Sequence, residues 1–129
     1  QQHDVTLHCE LDTSDMELVG NQRLLQRLLI NLVSNALRFS PRASSITLTA
    51  HPTADGESIV LAVEDRGPGV APADKERIFQ PFAQGTGETN RGTGLGLTLC
   101  AQVAHAHGGS IWVEDRPGGG SRFCVRLPR

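Results

Sequence analysis

Four short segments follow one another in an order that leaves few folds open: NLVSNALRF at residues 31–39, DRGPG at 65–69, GTGLGL at 92–97 and GGGSRF at 118–123. The first lies in a stretch where Leu24, Leu25, Leu28, Leu32, Val33, Ala36 and Leu37 return at helical spacing. Asn21 supplies a capping side chain before it, and Ser40-Pro41 closes it. The second segment ends an apolar-rich strand, the third opens a second helix, and the fourth is a turn between strands. Glycine runs are common in turns and each segment alone is weak. A two-amide helix, a strand-end carboxylate and two permissive backbone segments in this order are specific.

The intervening residues fill in the architecture. Residues 5–9 alternate as a half-buried strand, residues 12–15 read as a turn, and residues 16–19 as a short strand, giving a hairpin-like start. Residues 46–50 and 58–64 are strands around the turn at 54–57. A short helix is expected over 73–78 and a long one over 95–107, ended by Gly108-Gly109. Residues 84–91 lack periodicity and large apolar side chains, which marks a loop. Residues 111–114 and 122–127 form a last hairpin. Strands gathered in one sheet with helices on one face make an α/β two-layer sandwich.

At 129 residues the chain is expected to be one domain, burying roughly two-thirds of its unfolded surface. Net charge is −2 with both signs interspersed, so neither a nucleic-acid footprint nor a polybasic membrane patch is present. Cys9, Cys100 and Cys124 lack metal-ligand spacing and are expected as core filler in a reducing compartment. No apolar run approaches the ~18 residues needed to span a bilayer. The start at Gln1-Gln2 is that expected of a segment cut from a longer protein, with any anchor elsewhere.

Asn31 and Asn35 are four residues apart and stack on one helix face. A lone pair of this kind is usually just a polar face. Next to the other segments it becomes a candidate site, because an uncharged amide oxygen suits a hard cation whose charge is met mainly by phosphates. Arg38, a turn further on, can donate to phosphate oxygens, and Phe39 offers a ring for stacking or packing. Asp65, where the chain leaves the sheet, can accept from the exocyclic amine of adenine and disfavours the keto oxygen of guanine. Gly67 and Gly69 let backbone approach a base. Gly92, Thr93, Gly94, Leu95, Gly96 and Leu97 open a helix whose free amides and positive dipole end suit phosphate, with Arg91 beside them. This glycine segment follows polar residues rather than a strand, unlike a dinucleotide fingerprint, and no Walker lysine is present.

In order and spacing these segments resemble the N, G1, G2 and G3 boxes of the catalytic ATP-binding domain of sensor histidine kinases, over about the whole chain. The resemblance implies a Bergerat-type fold: a mixed, mostly antiparallel sheet with about three helices on one face and an ATP lid near residues 71–91. It implies ATP and Mg2+ as cofactors, with Asn35 completing the magnesium shell, Phe39 replacing a frequent tyrosine at the adenine, and the segment before Ser121 passing behind the base. Residues 78–82 resemble the family's F box, whose aromatics would seat the lid. Gln84 stands where many relatives carry arginine.

Gyrase, MutL and chaperone ATPases of related fold place a water-activating glutamate one turn before the metal-binding asparagine. Here that position is Asn31, and an amide cannot serve as the base. The expectation is a kinase, with Asn31, Asn35 and Arg38 in the catalytic set, that donates the γ-phosphate of ATP to a histidine. His3, His8, His51, His105 and His107 read as structural or surface histidines, so the acceptor is expected on a separate dimerisation domain, which in turn serves a cognate response regulator. Neither nucleic acid nor direct membrane contact is implied, and the domain is expected in the cytoplasm. Two other readings stay open: an anti-sigma-type serine kinase, and a nucleotide- or partner-binding module without phosphotransfer.

Overall fold

The computed structural model describes residues 5–11, 20–80 and 96–129. Among the described residues five strands form one sheet in the order β1-β2-β3-β5-β4, with β1 Thr6–Leu11, β2 Ser45–Pro52, β3 Ser58–Glu64, β4 Ser110–Asp115 and β5 Ser121–Pro128. Helix α1 spans Gln22–Phe39 between β1 and β2, and α2 spans Gly96–Ala106 before β4. The β1 and β2 strands run parallel through the α1 crossover, and the other three pairings are antiparallel.

Local chemistry accounts for these bounds. Asn21 Oδ1 accepts from the Leu24 N–H at 3.0 Å, satisfying one of the free donors at the start of α1. At the other end Ser40 turns to extended backbone before Pro41, while its hydroxyl donates to the Ala36 carbonyl at 2.6 Å. Leu28, Leu32 and Ala36 point inward from α1, and Leu97, Cys100, Val103 and Ala104 from α2. They meet Ile46, Val63, Val113, Phe123, Val125 and Leu127 on one side of the sheet. Registers Val63↔Phe123 and Val113↔Phe123 put three of these side by side.

Some expectations need correction. β1 is a strand, yet Thr6 to Glu10 are all exposed; among the described residues it lies at the sheet edge. Its described neighbour is β2, in parallel; the second strand of the expected hairpin, 16–19, lies outside the described residues. Cys9 is therefore exposed rather than core filler, whereas Cys100 and Cys124 are buried. The expected helix over 73–78 is two 3-10 turns, Pro72–Asp74 and Arg77–Phe79, separated at Lys75 and Glu76. The helix expected to reach 107 stops at Ala106, and Gly108 takes φ +79, as a helix-ending glycine does. Of the expected lid, 81–91 lies outside the described residues, as do Phe82 and Gln84.

Candidate functional site

The end of β3, the turn before β5 and the C-terminal turn of α1 converge on Asp65. This side chain is fully buried (0% exposed). Its Oδ1 accepts from the Gly67 N–H at 2.9 Å and from the Ser121 N–H at 3.3 Å, and its backbone N–H donates to the Ser121 carbonyl at 2.9 Å. Among the described residues Oδ2 has no hydrogen-bond partner. An unpaired buried acceptor is costly, so it marks a place for a donor from a ligand.

The glycines around it meet close backbone neighbours or take unusual dihedrals. A Cβ on Gly67 would sit 2.5 Å from the Phe39 carbonyl oxygen, so this glycine lets the loop pass the end of α1. Gly69 does take the left-handed region, at φ +85. Gly120, at φ +98, packs on the Asp65 carbonyl so closely that a Cβ would overlap it. The turn before β5 is thus the wall behind Asp65. Ser121 is buried and acts through its backbone bonds to Asp65. Leu97, expected among the ligand contacts, is only 4% exposed and belongs to the core, which leaves its backbone alone for that role. Gly96 is the first residue of α2. Arg91, Gly92, Thr93, Gly94 and Leu95 lie outside the described residues.

On α1, Asn31 and Asn35 are half-buried and one turn apart, and Arg38 is exposed. Asn35 Nδ2 is buried and has no partner among the described residues. An amide oxygen at this position fits a cation held jointly with phosphate oxygens. Phe39 is half-buried. Phe79, the described aromatic of the F box, packs edge-on against Phe123 with ring centroids 6.3 Å apart, anchoring the second 3-10 turn on the core.

Several contributors were not found from sequence. Glu64, next to Asp65, is flanked by Arg116 Nε at 3.5 Å and Arg122 Nε at 3.6 Å, which ties the strand ends together around the carboxylate. Asp74 is fully buried, with Arg77 3.4 Å away. The Cys100 thiol reaches the Leu28 carbonyl of α1 at 3.6 Å. Their partners are 3 to 72 positions away, and only the alternation of β5 toward Arg122 hinted at any of them.

A two-layer sandwich with a buried strand-end carboxylate, a two-amide helix and a glycine-opened second helix defines an ATP-binding module. Residues 20–129 match the family described as "Histidine kinase-, DNA gyrase B-, and HSP90-like ATPase", and the chain belongs to it. Among curated proteins it is similar to histidine protein kinase DivJ of Caulobacter vibrioides, 42% identical over 96% of this chain and 21% of that one. Among solved structures it is similar to the catalytic domain of histidine kinase ThkA, at TM-score 0.83 and 30% identity over 97% of this chain and 80% of that one. It is also similar to full-length ShkA in complex with AMPPNP, at TM-score 0.81 and 31% identity over 96% of this chain and 25% of that one. The chain thus spans about a fifth of the length of DivJ. No helix among the described residues is long and apolar enough to cross a membrane.

Proposed function

We propose that this chain binds ATP with Mg2+ and donates the γ-phosphate to a histidine on a separate dimerisation domain, as the catalytic part of a two-component sensor kinase. The observation that carries the nucleotide half is Asp65, whose Oδ1 is held by two backbone N–H groups while the buried Oδ2 is free. That oxygen receives the adenine amine, with Gly69 lining the base. The boxed segments supply the rest: Asn35 and Arg38 from α1 toward metal and phosphates, Arg91 and residues 92–97 along the phosphates, and Phe39 near the base. Bound Mg2+ supplies charge neutralisation at the phosphates, and Asn35 is the residue of this chain that would hold it.

Transfer rather than hydrolysis follows from Asn31. Its amide orients a donor but cannot take a proton from water. ShkA carries an ATP analogue in its complex, and ThkA has been solved with the response regulator TrrA, which supports an equivalent partner here through the acceptor domain. In this reading residues 1–129 form one ATP-binding unit in the cytoplasm, with the lid at 71–91. Calorimetric titration of the chain with ATP and GTP, followed by phosphate transfer to a supplied histidine-bearing dimerisation domain, tests both halves. Tighter ATP binding and labelling of the added domain are expected; equal affinity for the two nucleotides would remove the adenine assignment.

A further inference from the structure

The turn between β4 and β5 lies beyond the sheet ladder, whose last pairs at that end are Asp115↔Ser121 and Glu64↔Arg122. Its Gly118, Gly119 and Gly120 all take positive φ, a run with high conformational freedom unless something holds it. The bonds that shape this turn meet on one residue, Arg116. Its backbone N–H donates to the Gly120 carbonyl at 3.1 Å, and its carbonyl accepts from the Gly119 N–H at 3.0 Å. Its guanidinium Nη1 donates to the Pro117 carbonyl at 2.9 Å and to the Gly119 carbonyl at 3.1 Å. Nε of the same group lies 3.5 Å from Glu64 Oε1 at the end of β3. With side chains 19% and 23% exposed, this pair is more sheltered from water than Lys75–Asp115, whose carboxylate is 74% exposed.

What the turn holds in place is Asp65. Gly120 packs on the Asp65 carbonyl, and Ser121, next along, donates its N–H to Oδ1 at 3.3 Å. This is the longer of the two bonds that Oδ1 accepts, and a bond already at that length weakens with a small retreat of the turn. With the Gly67 N–H alone to hold it, the carboxylate is free to rotate. A rotating carboxylate accepts from the N1–H and amine of guanine as well as from the amine of adenine. We infer that Arg116 is a positioning residue for base recognition: by tying the β4–β5 turn to Glu64 it keeps the Ser121 N–H on Oδ1, and so keeps Oδ2 for the base. This rests on the adenine reading above. Arg122 also reaches Glu64, at 3.6 Å, but as a cross-strand neighbour within β5 it joins strand to strand and leaves the turn untouched.

Two variants separate positioning from stability. Arg116→Leu keeps an apolar stem and removes every side-chain donor. Arg116→Lys keeps a charge for Glu64 but lacks the planar fork that reaches a carboxylate and two carbonyls together. In the nucleotide-free chain, hydrogen exchange of the Ser121 amide should quicken about tenfold in Arg116→Leu and less in Arg116→Lys. Calorimetry at a temperature where every variant is folded should show ATP affinity about fivefold weaker in Arg116→Leu. The ratio of ATP to GTP affinity should fall about as far, with Arg116→Lys between Arg116→Leu and wild type. In an Asp65→Ala background Arg116→Leu should move that ratio no further, because no carboxylate remains to be placed. A lower melting temperature with an unchanged ratio shows that Arg116 only stabilises the fold, which overturns the inference. An equal drop in the ratio with and without Asp65, or unchanged exchange at Ser121, overturns it too. If the wild-type chain binds ATP and GTP equally, the adenine reading fails, and the Ser121 exchange still decides whether Arg116 holds the turn.

Discussion

His107 fastens the start of α1 to the end of α2: its Nε2 accepts from the Asn21 backbone N–H at 3.0 Å, and its Nδ1 faces the Val103 carbonyl at 2.8 Å. Only the tautomer with the proton on Nδ1 serves both contacts. Gly20 packs on the ring, where a Cβ would come within 2.5 Å of Cδ2. The C-terminal turn of α2, cut short by Gly108, thereby becomes part of the cap of α1. Replacing the ring should loosen both helix ends at once. His107→Leu is expected to lower stability by about 1 kcal/mol, read as a shift in urea midpoint at unchanged slope.

Asp65→Asn discriminates more sharply than removal of the side chain. The N–H groups of Gly67 and Ser121 require an acceptor, so the amide oxygen stays with them and the amide nitrogen takes the place of Oδ2. A donor then faces the adenine amine. ATP affinity should fall more than about tenfold while the ratio of ATP to GTP affinity moves toward guanine, measured by calorimetry. Retained ATP preference in Asp65→Asn would contradict the assignment of Oδ2.

Asn35→Ala separates function from stability. The buried Nδ2 has no partner to lose, so the nucleotide-free chain should melt within about 1 kcal/mol of wild type. Magnesium dependence of ATP binding should largely vanish. A variant that still needs magnesium as strongly as wild type would show that Asn35 holds no metal.

Gly119 and Gly120 both take positive φ, +113 and +98, but only Gly120 has backbone where a Cβ would go. Gly119→Ala should cost about 1–2 kcal/mol from backbone strain alone. Gly120→Ala should cost more and also weaken ATP binding, because it pushes Asp65 forward. Equal losses in thermal melts of the two would show that the wall behind Asp65 yields freely.

Thiol chemistry should follow burial. Cys9 alone is exposed and should react quickly with a disulfide reagent, whereas Cys100 and Cys124 should wait for unfolding. Burial raises both from the usual 9.0, to about 12 and about 11. Above about pH 9 the unfolded chain loses these protons first, so the stability contributed by the neutral thiols is complete below pH 9 and declines as pH rises toward 11–12. Melting temperature across that range checks the sign, and Cys100→Val should flatten the decline.

Periodicity carried much of the fold. The bounds of α1 and β3 were legible because cap, apolar spacing and breaker agree within a few residues of one another. The two 3-10 turns were not, since residues 73–78 satisfy a helical pattern that Pro72 and the packing of Phe79 on Phe123 override. Exposure of β1 was equally hidden, because alternation states which side chains share a face and not whether another layer covers it. At the site, residue types spoke for themselves at Asn31, Asn35 and Asp65, where amides and a carboxylate in fixed order have few other uses. Which oxygen of Asp65 is free, why Gly67 must clear the Phe39 carbonyl and why Gly120 must clear Asp65 depend on segments that meet 28 to 56 positions apart. Sequence sets local propensity and chemical capacity, whereas the direction in which a polar atom points is decided by the neighbours that folding brings to it.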